Sequence, residues 1–205
     1  MKGHLLPILS LAVVVLLCRS EASAFNIYQV GSVVIGQEHN EVWKRWFDKK
    51  FSIWVGAHGK KDENLIFKVE TGLGDATVRV NYTKAVRDKL ERAVTKAIEW
   101  SEVAKKNQAD TTKGLGCFGN DLYEICEKDG NVFKENQMGL RFFAANGGTQ
   151  TNLVIDIIDM NNQLIRATIH IDLPQMKQLL ENSQSIETVM KKARETAGKE
   201  DLFKE

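Results

Sequence analysis

Two stretches of this chain alternate between apolar and polar residues. Leu65, Phe67 and Val69, and then Ala76, Val78, Val80 and Tyr82, point one way, while Lys68, Glu70, Thr77, Arg79 and Asn81 point the other. A period of two is that of a strand with one face buried, and the Thr71-Gly72-Leu73-Gly74-Asp75 joint makes the pair a hairpin. At Thr83, a good cap residue, the period changes. Val86, Leu90, Ala93, Ala97, Trp100 and Ala104 recur at helical spacing until about Asn107, so this hairpin runs into a helix. The order returns further on. Leu153, Ile155 and Ile157 form one apolar row, Ile165, Ala167, Ile169 and Ile171 a second, and a helix led by Pro174 follows with Met176, Leu179 and Leu180 inward. Pairing both rows requires Ile157 opposite Ala167, Ile155 opposite Ile169 and Thr168 opposite Asp156, because a slip of one residue would turn Asp156 into the core.

The remaining segments are less regular. Ile27 to Ile35 reads as a strand, as does Phe51 to Ala57, with Trp54 and His58 on its outer face. Between them, Val42, Trp43, Trp46 and Phe47 sit at i, i+1, i+4 and i+5 among cations, which predicts a short amphipathic helix over 37–50. Lys113 to Gly119 reads as turn chemistry, Leu122 to Glu127 and Leu140 to Ala145 as strands, and Asn182 to Ser185 as a break after which Ile186, Val189, Met190 and Ala193 restart a helix. The expected fold is therefore α+β: a pseudo-repeat of two antiparallel strand-rich units, 25–107 and 113–197, each closed by its own helix, in one compact domain ending in a charged tail, 198–205. No Pro-rich or Ser-rich linker interrupts it.

The first residues add an address. A short basic start, an apolar run from Leu5 to Cys18 and the close Ala22-Ser23-Ala24 make 1–24 a secretory signal peptide, cut between Ala24 and Phe25. About 14 apolar residues fall short of the roughly 20 that span a bilayer, and no second apolar run follows, so the mature chain is expected to have no membrane span. Export implies a secreted or periplasmic location. Cleavage removes Lys2, Arg19 and Glu21, leaving the mature charges balanced. Cys117 and Cys126 then remain, and an oxidising compartment makes them a disulfide, worth about 2 to 3 kcal/mol. Asn81-Tyr82-Thr83 is a glycosylation sequon.

Catalytic signatures are missing from the sequence. It contains no Gly-x-Ser-x-Gly, and the mature cysteines are assigned to each other. His39, His58 and His170 have no metal-ligand spacing. Gly114-Leu115-Gly116 follows a helix and lacks the Lys-Ser/Thr of a phosphate loop. No catalytic residue, cofactor site or metal site is assigned. The strands-then-helix order resembles that of single-strand nucleic-acid binders of the whirly and purine-rich-element type, in which sheets present aromatics to bases. That resemblance implies a nucleic-acid partner, and both export and a balanced charge count against it, since phosphate neutralisation supplies most such affinity. The expected function is a non-catalytic binding or interaction module for a protein, small-molecule or glycan ligand. Its candidate surfaces are the Trp43 and Trp46 segment, the Trp54 and His58 face, and the mixed face of Asp156, Arg166 and His170. The alternatives are a hydrolase with carboxylates assembled in space, and a homodimer whose seam is the mixed face.

Overall fold

In the computed structural model, which describes residues 26–58, 62–72, 74–119, 128–132 and 134–201, the alternating segments pair as eight antiparallel strands. These are β1 (Asn26–Asn40), β2 (Arg45–His58), β3 (Asp62–Thr71), β4 (Gly74–Asn81), β5 (Thr111–Gly119), β6 (Gln137–Ala145), β7 (Gln150–Ile158) and β8 (Arg166–Ile171). The helices are α1 (Lys84–Asn107), between β4 and β5, and α2 (Leu173–Asp201), after β8.

The expectation of two units is overturned. All the strands belong to one sheet, ordered β4-β3-β2-β1-β8-β7-β6-β5. The helices cross over it: α1 packs against β5, β6 and β7, while α2 packs against β1 and β2 and against α1. Neither helix closes the strands that precede it. Side-chain contacts show why α2 goes where it does. Asn182 donates to the Ser32 carbonyl (2.7 Å) and accepts from the Ser32 amide (3.2 Å), and Gln178 donates to the Val33 carbonyl (3.1 Å). Both partners lie in a bulge of β1 between Val30 and Val34. Gly31 takes φ +62 there, with the Asn182 oxygen 2.0 Å from where a Cβ would stand, so a side chain at this position would be strained and would push Asn182 off the bulge. Further along, Arg194 of α2 clasps Glu63 of β3 through two nitrogens (2.7 and 2.9 Å) and also reaches Glu187, which in turn accepts the Tyr82 hydroxyl.

Several local expectations hold. The β7–β8 register pairs Ile157 with Ala167, Ile155 with Ile169 and Asp156 with Thr168. Leu65, Phe67, Val69, Ala76, Val78 and Val80 are buried. The Thr83 hydroxyl accepts from the Val86 amide at the start of α1. Others are corrected. Residues 37–50 are not a helix but the far half of a long β1–β2 hairpin, turned at 41–44. The Asn40 side chain accepts from the Val42 and Trp43 amides (3.0 and 2.9 Å), closing the turn, and Lys44 takes φ +52, a left-handed conformation at which a helix cannot continue. The 113–119 turn is strand β5, whose glycines form a bulge between Gly114 and Gly116. The break at 182–185 does not interrupt α2. Asn182 is spent on β1, while Ser183 and Ser185 donate back to the Leu180 and Glu181 carbonyls. The helix also runs through Gly198 to Asp201, so the first part of the tail expected over 198–205 is helical, and 202–205 lie outside the described residues. The strand expected over 122–127 and the leader over 1–24 lie outside the described residues.

Edge strand β4 ends the sheet on one side, and the outward backbone groups of Thr77 and Arg79 are occupied. The Asn136 carboxamide accepts from the Arg79 amide (2.7 Å) and donates to the Arg79 carbonyl (2.9 Å). One Asp159 oxygen accepts from the Thr77 amide (2.8 Å), and the Met160 amide donates to the Thr77 carbonyl (2.8 Å). Asn136 precedes β6 and Asp159 follows β7, so the sheet curls until β4 reaches strands from its other half, which it contacts at β5 and β7. Asn136→Ala should therefore cost about 3 kcal/mol, since it breaks two buried hydrogen bonds. Asn136→Gly should cost about 1 kcal/mol less, because φ +55 at this residue strains alanine and not glycine. Urea unfolding of the two variants against the parent checks both the size and the order.

Candidate functional site

The sheet has one face against the helices and one turned away. Outward positions follow from the pairing: Gln37 and His39 on β1, Trp46 and Asp48 on β2, Arg141 and Phe143 on β6, Val154, Asp156 and Ile158 on β7, and Arg166, Thr168 and His170 on β8. The two halves of the sheet meet through β1 and β8, where Gln37 registers opposite His170. Over that joint the aromatic rings form a row. His39 lies 5.2 Å from Trp46, Trp46 meets His170 edge-on at 5.0 Å, and His170 meets Phe143 edge-on at 6.3 Å. Such edge-to-face contacts are each worth about 0.5 to 1.5 kcal/mol beyond burial. Trp46 is nonetheless 45 % exposed.

Beside this row lies an ion pair. Arg141 donates to one Asp156 oxygen through Nε (3.0 Å) and Nη2 (2.5 Å), and the Thr168 hydroxyl donates to the other (2.6 Å). Asp156 is buried, so both of its oxygens need these partners. The pair forms a wall of a groove of about 290 Å³ that Asn131, Val132, Ile158, Arg166 and Thr168 also line. The roof of the groove is the 130–132 segment, which lies directly on Gly139: a Cβ there would come within 2.0 Å of the Gly130 carbonyl oxygen and 3.1 Å of Val132. Ile158 and Val154 are buried. The apolar residues that made this face look mixed are thus covered inside the monomer, yet an open cleft remains next to them.

His170 sits below its ordinary pKa. Burial is the main cause; Asp156 pulls the other way, and Arg141 and His39 add to the lowering. Glu41, at the hairpin turn beyond His39, sits below the usual carboxylate range because Lys44 and His39 bond to it.

The structure brings two of the three expected surfaces together. Trp46 reaches His170, and Arg166 and Asp156 line the adjoining groove. Trp43 is on the hairpin turn, 67 % exposed, with the Arg45 guanidinium 5.6 Å from its ring. Trp54 and His58 are not part of the site. Trp54 pairs with Gln29, eight positions down β1 from Gln37, which places it roughly 25 Å away along the strand; its indole donates to the Ser52 hydroxyl. His39, Arg141 and Phe143 were missed in the sequence. The inward alternation of Leu140, Phe142 and Ala144 carries the signal for the two β6 residues, while His39 was hidden by the helical reading of 37–50. Asn81 is exposed at the end of β4. Cys117 is buried in β5 beside Phe118, and Cys126 lies outside the described residues. Among the described residues no cluster of His, Cys, Asp and Glu has the geometry to hold a metal, and no helix is long and apolar enough to cross a membrane.

No family model matches the chain, and neither a curated protein nor a solved structure matches it.

The lowered pKa of His170 has a thermodynamic sign. The unfolded histidine takes its proton near pH 6.5 and the folded one only at lower pH, so the unfolded state binds more protons in that window and stability falls as pH drops below about 6.5. Denaturation midpoints measured between pH 7.5 and 5 should decline, and His170→Gln should flatten that decline.

Proposed function

We propose that the protein works by binding rather than by catalysis, through the outer face of β1, β6, β7 and β8 around Trp46 and His170. The observation that carries this reading is the continuity of the aromatic row His39, Trp46, His170 and Phe143 with the groove at Asp156. An exposed indole held by one edge-on and one tilted neighbour is a rigid stacking surface that needs little ordering when a ligand arrives. The titratable groups around it are engaged in holding shape: Asp156 spends both oxygens on Arg141 and Thr168, and burial keeps His170 toward its neutral form. Among the described residues of the groove Asp156 is the one carboxylate, which supports recognition over a two-acid hydrolase.

The charge of the face supports a neutral ligand. On this side Lys44 faces Glu41, Lys50 faces Glu70 and Arg141 faces Asp156, which leaves Arg166 as the one groove cation without an ion pair among the described residues, too little positive charge for a phosphate backbone. A small-molecule or glycan ligand with an apolar face for Trp46 and polar groups for the groove fits this arrangement. In the same reading the chain is exported, cut between Ala24 and Phe25, and cross-linked between Cys117 and Cys126.

The test is a titration of isotopically labelled protein with a panel of oligosaccharides, dipeptides and small organic acids, followed by NMR. One class should shift the Trp46, Phe143 and Thr168 signals together at or below about 1 mM, and Trp46→Ala should weaken that binding by about tenfold. Shifts scattered over the molecule would remove the proposal. So would turnover of a p-nitrophenyl ester or glycoside that disappears in Asp156→Asn.

A further inference from the structure

The most exposed large apolar residues among those described are Val42 (86 %), Leu164 (84 %) and Trp43 (67 %). They are far apart in sequence, but the topology sends them to one end of the sheet. Because β1 and β8 are antiparallel with Gln37 opposite His170, the turn after β1 and the turn before β8 leave the same edge. Val42 is five residues beyond Gln37 and Leu164 six before His170, so both turns project roughly 15 to 20 Å past that pair. Beyond Phe51 the β1–β2 hairpin also outruns its neighbour, since the β2–β3 pairing stops at Phe51 and Val69.

The backbone of these turns is prepared for a place with little water. The Asn40 side chain accepts from the Val42 and Trp43 amides, and the Asn162 side chain accepts from the Leu164 amide (3.0 Å). Each exposed apolar residue therefore has its own N–H satisfied inside its turn, which matters where solvent cannot supply a partner. Glu41, the acid on the first turn, is bonded to Lys44 and His39. Arg45 and Arg166, at the bases of the two turns, have no carboxylate within ion-pair distance among the described residues. Arg45 lies over Trp43 and Phe47 (5.6 and 4.6 Å), and Arg166 donates to the Gln163 carbonyl.

We propose that this end of the sheet docks on an anionic phospholipid surface, with Val42, Trp43 and Leu164 entering the headgroup region and Arg45 and Arg166 facing the lipid phosphates. Apolar residues on separate protruding turns form no concave seat for a folded partner, whereas a fluid interface closes around each of them. Tryptophan beside arginine is the pairing such an interface favours, the ring at headgroup depth and the charge outside. This surface shares Arg166 with the groove, but its apolar residues lie outside it, and neither reading depends on the other.

The test is co-sedimentation of the Phe25–Glu205 chain, which contains every described element, with phosphatidylcholine vesicles, with and without about a third phosphatidylserine. The wild-type chain should bind the phosphatidylserine vesicles, and raising salt to about 1 M should remove the preference for them. A Val42→Ser and Trp43→Ser double variant should lower the partition coefficient by at least about tenfold. Leu164→Ser should lower it less, and Trp54→Phe, at the far end of the sheet, should leave it unchanged. Circular dichroism shows each variant folded. The proposal is overturned if the wild-type chain does not sediment with either vesicle, if the double variant binds as well as wild type, or if the turns instead mediate self-association that the double variant abolishes.

Discussion

The fold rests on how the last backbone groups of an open sheet are satisfied. Among the described residues strand β4 has β3 on one side and no further strand on the other, so the amides and carbonyls of Thr77 and Arg79 need partners from elsewhere. Asn136 supplies a side-chain amide that donates and accepts as a peptide does, and Asp159 with the Met160 amide does the same one step along. Both residues are themselves nearly buried, and Asp159 accepts from the Asn161 and Asn162 amides as well. Two corner residues thus stand in for an edge strand, and in doing so they bend β4 toward β7.

The crossing of the helices follows the same logic of obligatory pairing. An isolated four-stranded unit with its own helix would leave the β1 bulge at Ser32 without hydrogen-bond partners on its inner side. Asn182 and Gln178 of α2 provide them, which commits α2 to the first half of the chain and leaves α1 to cover β5, β6 and β7. The outcome is a single core drawn from both halves, with Phe51, Phe67, Phe118 and Phe142 in the same cluster as Leu179 and Met190. The Tyr82, Glu187, Arg194 and Glu63 chain adds a polar clasp at the far end of α2. Tyr82 is pushed up to about 12 by its partial burial and its bond to Glu187, so the hydroxyl keeps its proton throughout the neutral range.

The proposed binding face lies where the halves join. The β1–β8 joint is the place where chain segments more than a hundred residues apart lie side by side, and the aromatic row crosses it. Trp46 comes from the first half, His170 and Phe143 from the second, and the ion pair of Arg141 and Asp156 steadies the second half beside them. The protruding turns at the same end use a different device, in which asparagine side chains close the backbone so that apolar residues can stand out from it.

Local periodicity was sufficient wherever a segment had one wet and one dry face. The β3–β4 hairpin, helix α1 with its Thr83 cap and the register of Asp156 opposite Thr168 were all determined by the alternation of Leu65 to Asn81, by the spacing of Val86 to Ala104 and by the cost of turning Asp156 inward. What failed lacked a dry face of its own. Residues 37–50 extend past the core, so their aromatics answer to Asn40, His170 and each other rather than to burial, and a helical spacing there was coincidental. Residues 113–119 are glycine-rich, and become a strand because β6 pairs with them. Asn182 looks like a helix breaker until Ser32 is placed beside it. Which helix covers which strands, which side chains close the β4 edge, and that Trp46 meets His170 were decided by the tertiary structure alone. They depend on hydrogen bonds and ring contacts between residues distant in the chain, and neither period nor propensity records those.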